Sequence, residues 1–135
     1  MSRPSFETPA ILITDDDRAW RETLEGVFAP RGYRTLLASD GGEALEIVER
    51  EEIHVLLADL HMPRIDGLEL VERLVVRRRD LPAVLMTADR SEEVRSEARA
   101  RGFESVLTKP VSFGRLTQVI GRIMRSRYDW PPSCQ

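Results

Sequence analysis

Along this chain short apolar runs alternate with amphipathic stretches, and that alternation leaves few architectures open. The runs are Ala10 to Ile13, Thr35 to Ala38, Val55 to Ala58, Ala83 to Met86 and Ser105 to Leu107. Each is a continuous apolar or β-prone stretch, the pattern of a strand buried on both faces. Between them the spacing turns helical. Trp20, Leu24, Val27 and Phe28 form one stripe after Asp17 or Thr14 as the cap, with Gly32 as its left-handed stop. Asp40 and Glu43 make a capping box ahead of Ala44, Leu45 and Val48. Leu68, Leu70, Val71, Leu74 and Val75 carry a third helix, and Arg77 to Arg79 load its last turn, where cations suit the helix dipole. Ser91 opens a polar helix that reaches Arg101 and stops at Gly102. Ser112 opens the last, with Leu116, Val119, Ile120 and Ile123 as its buried stripe.

Five βα units in succession predict an α/β fold: a five-stranded parallel sheet, doubly wound in the flavodoxin-like order 2-1-3-4-5, with five helices over its two faces. A chain of 135 residues suits one such domain. Residues 10–127 are assigned to it. Residues 1–9 read as an N-terminal extension, and 128–135 as a tail or the start of a linker, because Pro131-Pro132 cannot continue a helix. With 41% apolar and 32% charged residues the chain lies away from the disordered class. Its longest apolar runs fall well short of the roughly 20 residues that span a bilayer, so no membrane association is expected. The N-terminus lacks the apolar segment of a secretory signal, and the lone Cys134 cannot form an internal disulfide, which together point to the cytoplasm.

Charge is unevenly spread: residues 1–68 hold 7 cations and 14 acids, residues 69–135 hold 13 and 9. A net charge of −3 argues against direct nucleic-acid binding, which calls for a strongly basic footprint. Of the 20 cations, 19 are arginine and one, Lys109, is lysine.

In a doubly wound sheet, ligands bind beyond the carboxyl ends of the strands. The residues there are Asp15 and Asp16 after the first run, Asp59 after the third, Thr87 after the fourth and Lys109 after the fifth. Three carboxylates in one crevice repel, and a divalent cation is their natural compensation. Oxygen ligands without nearby histidine or cysteine donors point to Mg²⁺. Zinc is disfavoured, since His54 and His61 flank a strand seven residues apart and Cys134 lies in the tail. Phosphoryl transfer needs mainly alignment and charge neutralisation, and this set supplies both. Asp59 stands singly and is the candidate nucleophile. Lys109 and Thr87 would meet the phosphoryl oxygens, and the product would be an aspartyl phosphate.

The strings ILITDDD, VLLADLHMPRIDGLEL, AVLMTAD and VLTKP, over about residues 10–126, resemble the receiver domain of two-component response regulators, similar to the chemotaxis regulators. Singly the motifs are weak; together, in order and spacing, they are specific. The resemblance implies Mg²⁺-dependent transfer of a phosphoryl group to Asp59 from a sensor histidine kinase or a phosphotransfer protein. Asp16 would ligate the metal directly and Asp15 partly through water, with the backbone carbonyl of His61 as a further ligand. Such a domain is a phosphorelay switch rather than a conventional enzyme, catalysing only its own Asp phosphorylation and dephosphorylation. Its output would go to an effector protein or to a C-terminal output domain outside this chain, through a surface around the fourth and fifth helices. Arg95, Arg99, Arg115 and Arg122 lie on that surface, which is also the candidate face for a homodimer. Gly67 is expected to supply backbone freedom in the loop after Asp59, and Pro110 to follow a cis peptide.

The pattern also departs from the family. Three residues before the lysine, where the family commonly has an aromatic switch residue that moves together with Thr87, stands Val106; Phe103 is a poor substitute. His61 and Asp89, two residues after Asp59 and Thr87, occupy positions that tune phosphate lifetime in the family. Asp17 reads as a helix cap and His54 as structural. Two other functions fit less well. A Mg²⁺-dependent phosphatase of the haloacid-dehalogenase type would carry a second Asp two residues after the nucleophile, where this chain has His61. An adaptor acting without phosphorylation would not require Asp59, Thr87 and Lys109 together.

Overall fold

The computed structural model describes residues 8–78 and 80–131. Its elements are β1 (Ala10–Thr14), α1 (Arg18–Phe28), a 3₁₀ turn (Ala29–Arg31), β2 (Arg34–Ala38), α2 (Gly41–Arg50), β3 (Val55–Asp59), α3 (Gly67–Arg77), β4 (Ala83–Thr87), α4 (Glu92–Ala100), β5 (Ser105–Thr108) and α5 (Phe113–Tyr128). All strands pair in parallel, in the expected order β2-β1-β3-β4-β5. Every residue of β1, β3 and β4 is buried, which is why those runs are continuously apolar; the edge strand β2 is only partly covered.

Successive strand residues point to opposite faces, so the core divides in two. Leu12, Leu56, Ala58 and Leu85 pack under α2, α3 and α4, whereas Ile11, Ile13, Leu57, Val84 and Met86 pack under α1 and α5. Burial is unequal among the helices. α5 buries five residues and α3 five, but α4 buries only Ala98 completely. None of the described helices is long and apolar enough to cross a membrane.

Asp17, not Thr14, caps α1 by accepting from the N–H groups of Ala19 and Trp20. Ser91 and Ser112 cap α4 and α5. The box at α2 is half as expected: Asp40 accepts from the Glu43 N–H, but the Glu43 carboxylate accepts from Ser39 rather than reaching back to the Asp40 N–H. Gly32 does adopt a left-handed φ of 97°, but it closes the 3₁₀ turn, because Pro30 follows α1 too closely for a direct stop. Val75 lies outside the buried stripe of α3, 38% exposed beside Val76 at 82%.

Residues 128 and 130 pack against the rest of the domain. Tyr128 completes α5, and its hydroxyl donates to the His54 carbonyl at 2.6 Å. The Trp130 ring then packs on Tyr33, centroids 5.1 Å apart. His54 is structural, as expected: its Nδ1 accepts from the Ala10 N–H at 2.8 Å, tying the start of β1 to β3. Most of the N-terminal extension, Arg79, Pro132 and Cys134 lie outside the described residues.

Candidate functional site

Four parallel strands deliver their carboxyl ends to one edge of the sheet. There Asp15 follows β1, Asp59 ends β3, Thr87 ends β4 and Lys109 follows β5. Asp15, Asp59 and Thr87 are buried, whereas Asp16 is exposed. Asp15, Asp16 and Asp59 each offer a carboxylate oxygen, and the three lie within 4.8 Å of one another. The Lys109 Nζ is 3.0 Å from Asp59 Oδ1 and 3.5 Å from Asp15 Oδ2. The lysine N–H donates to the Thr87 carbonyl at 2.8 Å, and the Lys109-Pro110 peptide is cis.

Each side chain is held by its surroundings. Asp15 Oδ1 accepts from the Asp17 N–H at 2.9 Å, and Arg21 donates to the Asp15 carbonyl at 2.7 Å. Asp15 Oδ2 is buried with no hydrogen-bond partner among the described residues. Thr87 Oγ1 accepts from the Asp89 N–H at 3.0 Å, which leaves its own proton to donate. The glycine at 67 plays a different part from the one its sequence suggested. Its φ is not in the left-handed region, but a Cβ there would lie 2.5 Å from the Asp59 carbonyl oxygen and 2.9 Å from Leu85. Close approach of α3 to the end of β3 excludes a side chain.

Burial pushes the Asp15 carboxyl above its ordinary range; the Asp17 N–H opposes this, the charges of Asp59 and Asp16 add to it, and Lys109 subtracts. For Lys109, burial alone would lower the ammonium, yet the hydrogen bond to Asp59 and the charges of Asp15 and Asp59 outweigh it and the net shift is upward. The lysine therefore stays charged at neutral pH. An acid whose folded pKa exceeds its unfolded value loses stability as pH rises from about 3.9 through the folded value, and the penalty persists above it. Asp15→Asn should then stabilise the metal-free protein at pH 7 by about 1 kcal/mol, an increase in Tm of about 3–5 °C. Thermal melts at pH 7 and pH 4 check this: the gain should shrink at the lower pH.

A hard, all-oxygen donor set with one buried carboxylate oxygen that accepts no hydrogen bond, and that Lys109 approaches only to 3.5 Å, fits a divalent cation of the Mg²⁺ type. Not every sequence-derived candidate sits among these groups. His61 is exposed, and near it the Asp89 carboxyl is held below its usual range chiefly by the Ser91 N–H. Val106 is half-buried on β5 opposite Leu85, on the α4 side of the sheet, and Phe103 is in the core. Two aromatic residues at the mouth were not foreseen. Trp20, read as core from its helical spacing, lies with its ring centroid 6.0 Å from Lys109 Nζ and stacks on Phe113 at 6.2 Å. Together with Asp17, Lys109, Pro110 and Val111 they line a cleft of about 550 Å³. Periodicity places Trp20 on the inner stripe of α1 but carries no sign of how near the strand ends it falls.

The sequence model of the response regulator receiver domain matches residues 11–121. The response regulator MprA of Mycobacterium leprae is 40% identical over 115 residues, which are 85% of this chain and 50% of that protein. The chain thus spans about half the length of the curated relatives it matches. A CheY-like receiver domain protein of Methanospirillum hungatei superposes with a TM-score of 0.85 at 27% identity, covering 89% of this chain and 96% of the other. The response regulator TrrA of Thermotoga maritima, solved in complex with Mg²⁺ and BeF, gives a TM-score of 0.77 at 26% identity over 86% of this chain and 99% of its own.

Proposed function

The chain belongs to the response regulator receiver domain family, and from that membership we propose that it is a cytoplasmic switch phosphorylated on Asp59 by a sensor histidine kinase or phosphotransfer protein. One observation carries this reading: a buried carboxylate, Asp59, stands at a strand end with an ammonium 3.0 Å away and two further carboxylates beside it. In the transfer, the phosphorus–nitrogen bond of a phosphohistidine breaks and a bond forms between phosphorus and an Asp59 Oδ. The electron pair of the broken bond stays with the imidazole, which takes up a proton. Lys109 balances charge on the phosphoryl oxygens and the free Thr87 proton donates to one of them. Asp15, Asp16, Asp59 and the backbone carbonyl of His61 would hold Mg²⁺, which supplies further neutralisation of those oxygens when bound. His61 and Asp89 border the path of the hydrolytic water and set the lifetime of the phosphate. The relatives are about twice this length, and the output in this reading goes to an effector protein or to an output domain outside this chain.

Incubation with acetyl phosphate and Mg²⁺, followed by intact mass and peptide mapping, tests the reading. The expected product carries one phosphoryl group on the peptide containing Asp59 and is abolished by chelation. A protein that gains no mass would overturn it.

Lys109→Arg separates charge from shape. A guanidinium is planar and larger than the ammonium held between Asp59, Asp15 and Trp20. The variant should still be phosphorylated, within about tenfold of the wild-type rate, since the cation is kept. Its phosphorylation-dependent partner binding should be lost, a result that a pull-down with and without acetyl phosphate checks.

A further inference from the structure

α4 is the least buried helix, and hydrogen bonds tie it to the site at two points. At its N-terminus the Asp89 N–H donates to Thr87 Oγ1, the Ser91 N–H to Asp89 Oδ1, and the Val94 N–H to the capping Ser91 Oγ. One turn further on, the Arg95 guanidinium donates to Thr108 Oγ1 at 2.7 Å, a partly buried contact across to β5. Thr108 is the register partner of Thr87 and the chain neighbour of Lys109. Leu107 belongs to the α1 and α5 side of the sheet and Val106 to the α4 side, so alternation turns Thr108 toward α4 as well. Arg95, Val106 and Thr108 line one polar cleft of about 400 Å³ between α4 and α5. The small Val106 leaves that space to the arginine.

We infer that Arg95 is the positioning residue that transmits the state of Asp59 to α4, through its hydrogen bond to Thr108. The inference rests on the phosphorylation reading above. Lys109 and Thr87 both engage the phosphoryl group in that reading, and any adjustment of their strand ends moves the Thr108 hydroxyl between them. A helix with one fully buried residue is free to follow, because few apolar contacts resist its displacement. The ion pair between Arg101, the residue that caps the end of α4, and Glu72 of α3 lies at the far end of the helix and reaches no residue of the site.

Hydrogen exchange on the full chain, with and without acetyl phosphate and Mg²⁺, tests this in the wild type, Arg95→Ala, Thr108→Val, Thr108→Ser and the Arg95→Ala/Thr108→Val double variant. All should gain one phosphoryl group by mass. In the wild type and in Thr108→Ser, which keeps the hydroxyl, phosphorylation should change the exchange of α4 amides. In Arg95→Ala and Thr108→Val that change should fall about fivefold or more, with no further fall in the double variant. Phosphorylated single variants whose α4 responds as in the wild type would overturn the coupling while leaving the phosphorylation reading intact. A wild type that takes up no phosphoryl group would overturn both. A Thr108→Ser variant that behaves like Thr108→Val would also overturn it, because the hydroxyl would then not be the link.

Discussion

Asparagine in place of Asp59 should lower phosphoryl incorporation on the order of 10³-fold or more, the scale on which removal of an essential nucleophile is felt. The carboxamide keeps the size of the side chain and lacks the nucleophilic oxygen. Intact mass after acetyl phosphate treatment reads the result. The site also specifies how the expectation could fail. Asp16 is exposed and offers an oxygen within 4.8 Å of one of Asp59, so an adduct that persists on the tryptic peptide ending at Arg18, and not on the peptide from Glu51 to Arg64, would mark Asp16 as a competing acceptor. An Asp16→Asn/Asp59→Asn double variant separates the cases: if the residual adduct disappears, Asp59 was not the only acceptor, and the assignment of a single nucleophile is wrong. The substitution has a second consequence. It removes one of three crowded charges while releasing Lys109 from its 3.0 Å partner, two opposing effects on stability. Lys109 retains Asp15 at 3.5 Å, so the variant should stay folded, and far-UV circular dichroism should match the wild type.

Strand order and the identity of the strand-end residues were legible because they depend on local pattern. A strand covered on both faces must be apolar throughout, so β1, β3 and β4 announce themselves, and in a parallel sheet whatever follows such runs shares one edge. The same logic placed Asp15, Asp59, Thr87 and Lys109 together without any knowledge of distances. Features set by the meeting of remote segments were not legible. Tyr128 seals α5 against a carbonyl 74 residues earlier in the chain, and Trp130 covers Tyr33; nothing near residue 128 encodes either contact. The Arg95–Thr108 bond is of the same kind, since an arginine on a polar helix looks like any solvated cation until the strand opposite it is known. Glycine at 67 shows the limit most plainly. Sequence suggested backbone freedom, the commonest reason for glycine in a loop, whereas the cause is a neighbouring strand end that comes too close for a methyl group.

That closeness makes Gly67→Ala the most damaging alanine substitution among the described glycines. The added carbon would sit 2.5 Å from the Asp59 carbonyl oxygen and 2.9 Å from Leu85 Cδ1. Leu85 can rotate away at some cost, but the carbonyl is backbone at the end of the central strand, and the Gly67 N–H donates to the carbonyl of the next residue, Leu60, at 2.9 Å. Relief therefore requires α3 to back away or β3 to shift. Overpacking of this kind costs about 3 kcal/mol, a large share of the roughly 5–15 kcal/mol that holds a domain together. Urea unfolding should show that loss as a lower midpoint with an unchanged slope. Gly114→Ala is the control: no atom lies within 4 Å of its Cβ position, and in a helix alanine should gain about 0.5–1 kcal/mol. The chemistry should suffer separately from the fold. Because the clash falls on the carbonyl of Asp59 itself, the variant's folded fraction should be phosphorylated about 10²-fold more slowly, the cost of displacing a reacting group by about 1 Å. Rates measured well below the variant's Tm isolate this effect. A wild-type rate there would mean that α3 yields and β3 does not, leaving Gly67 with a purely structural role.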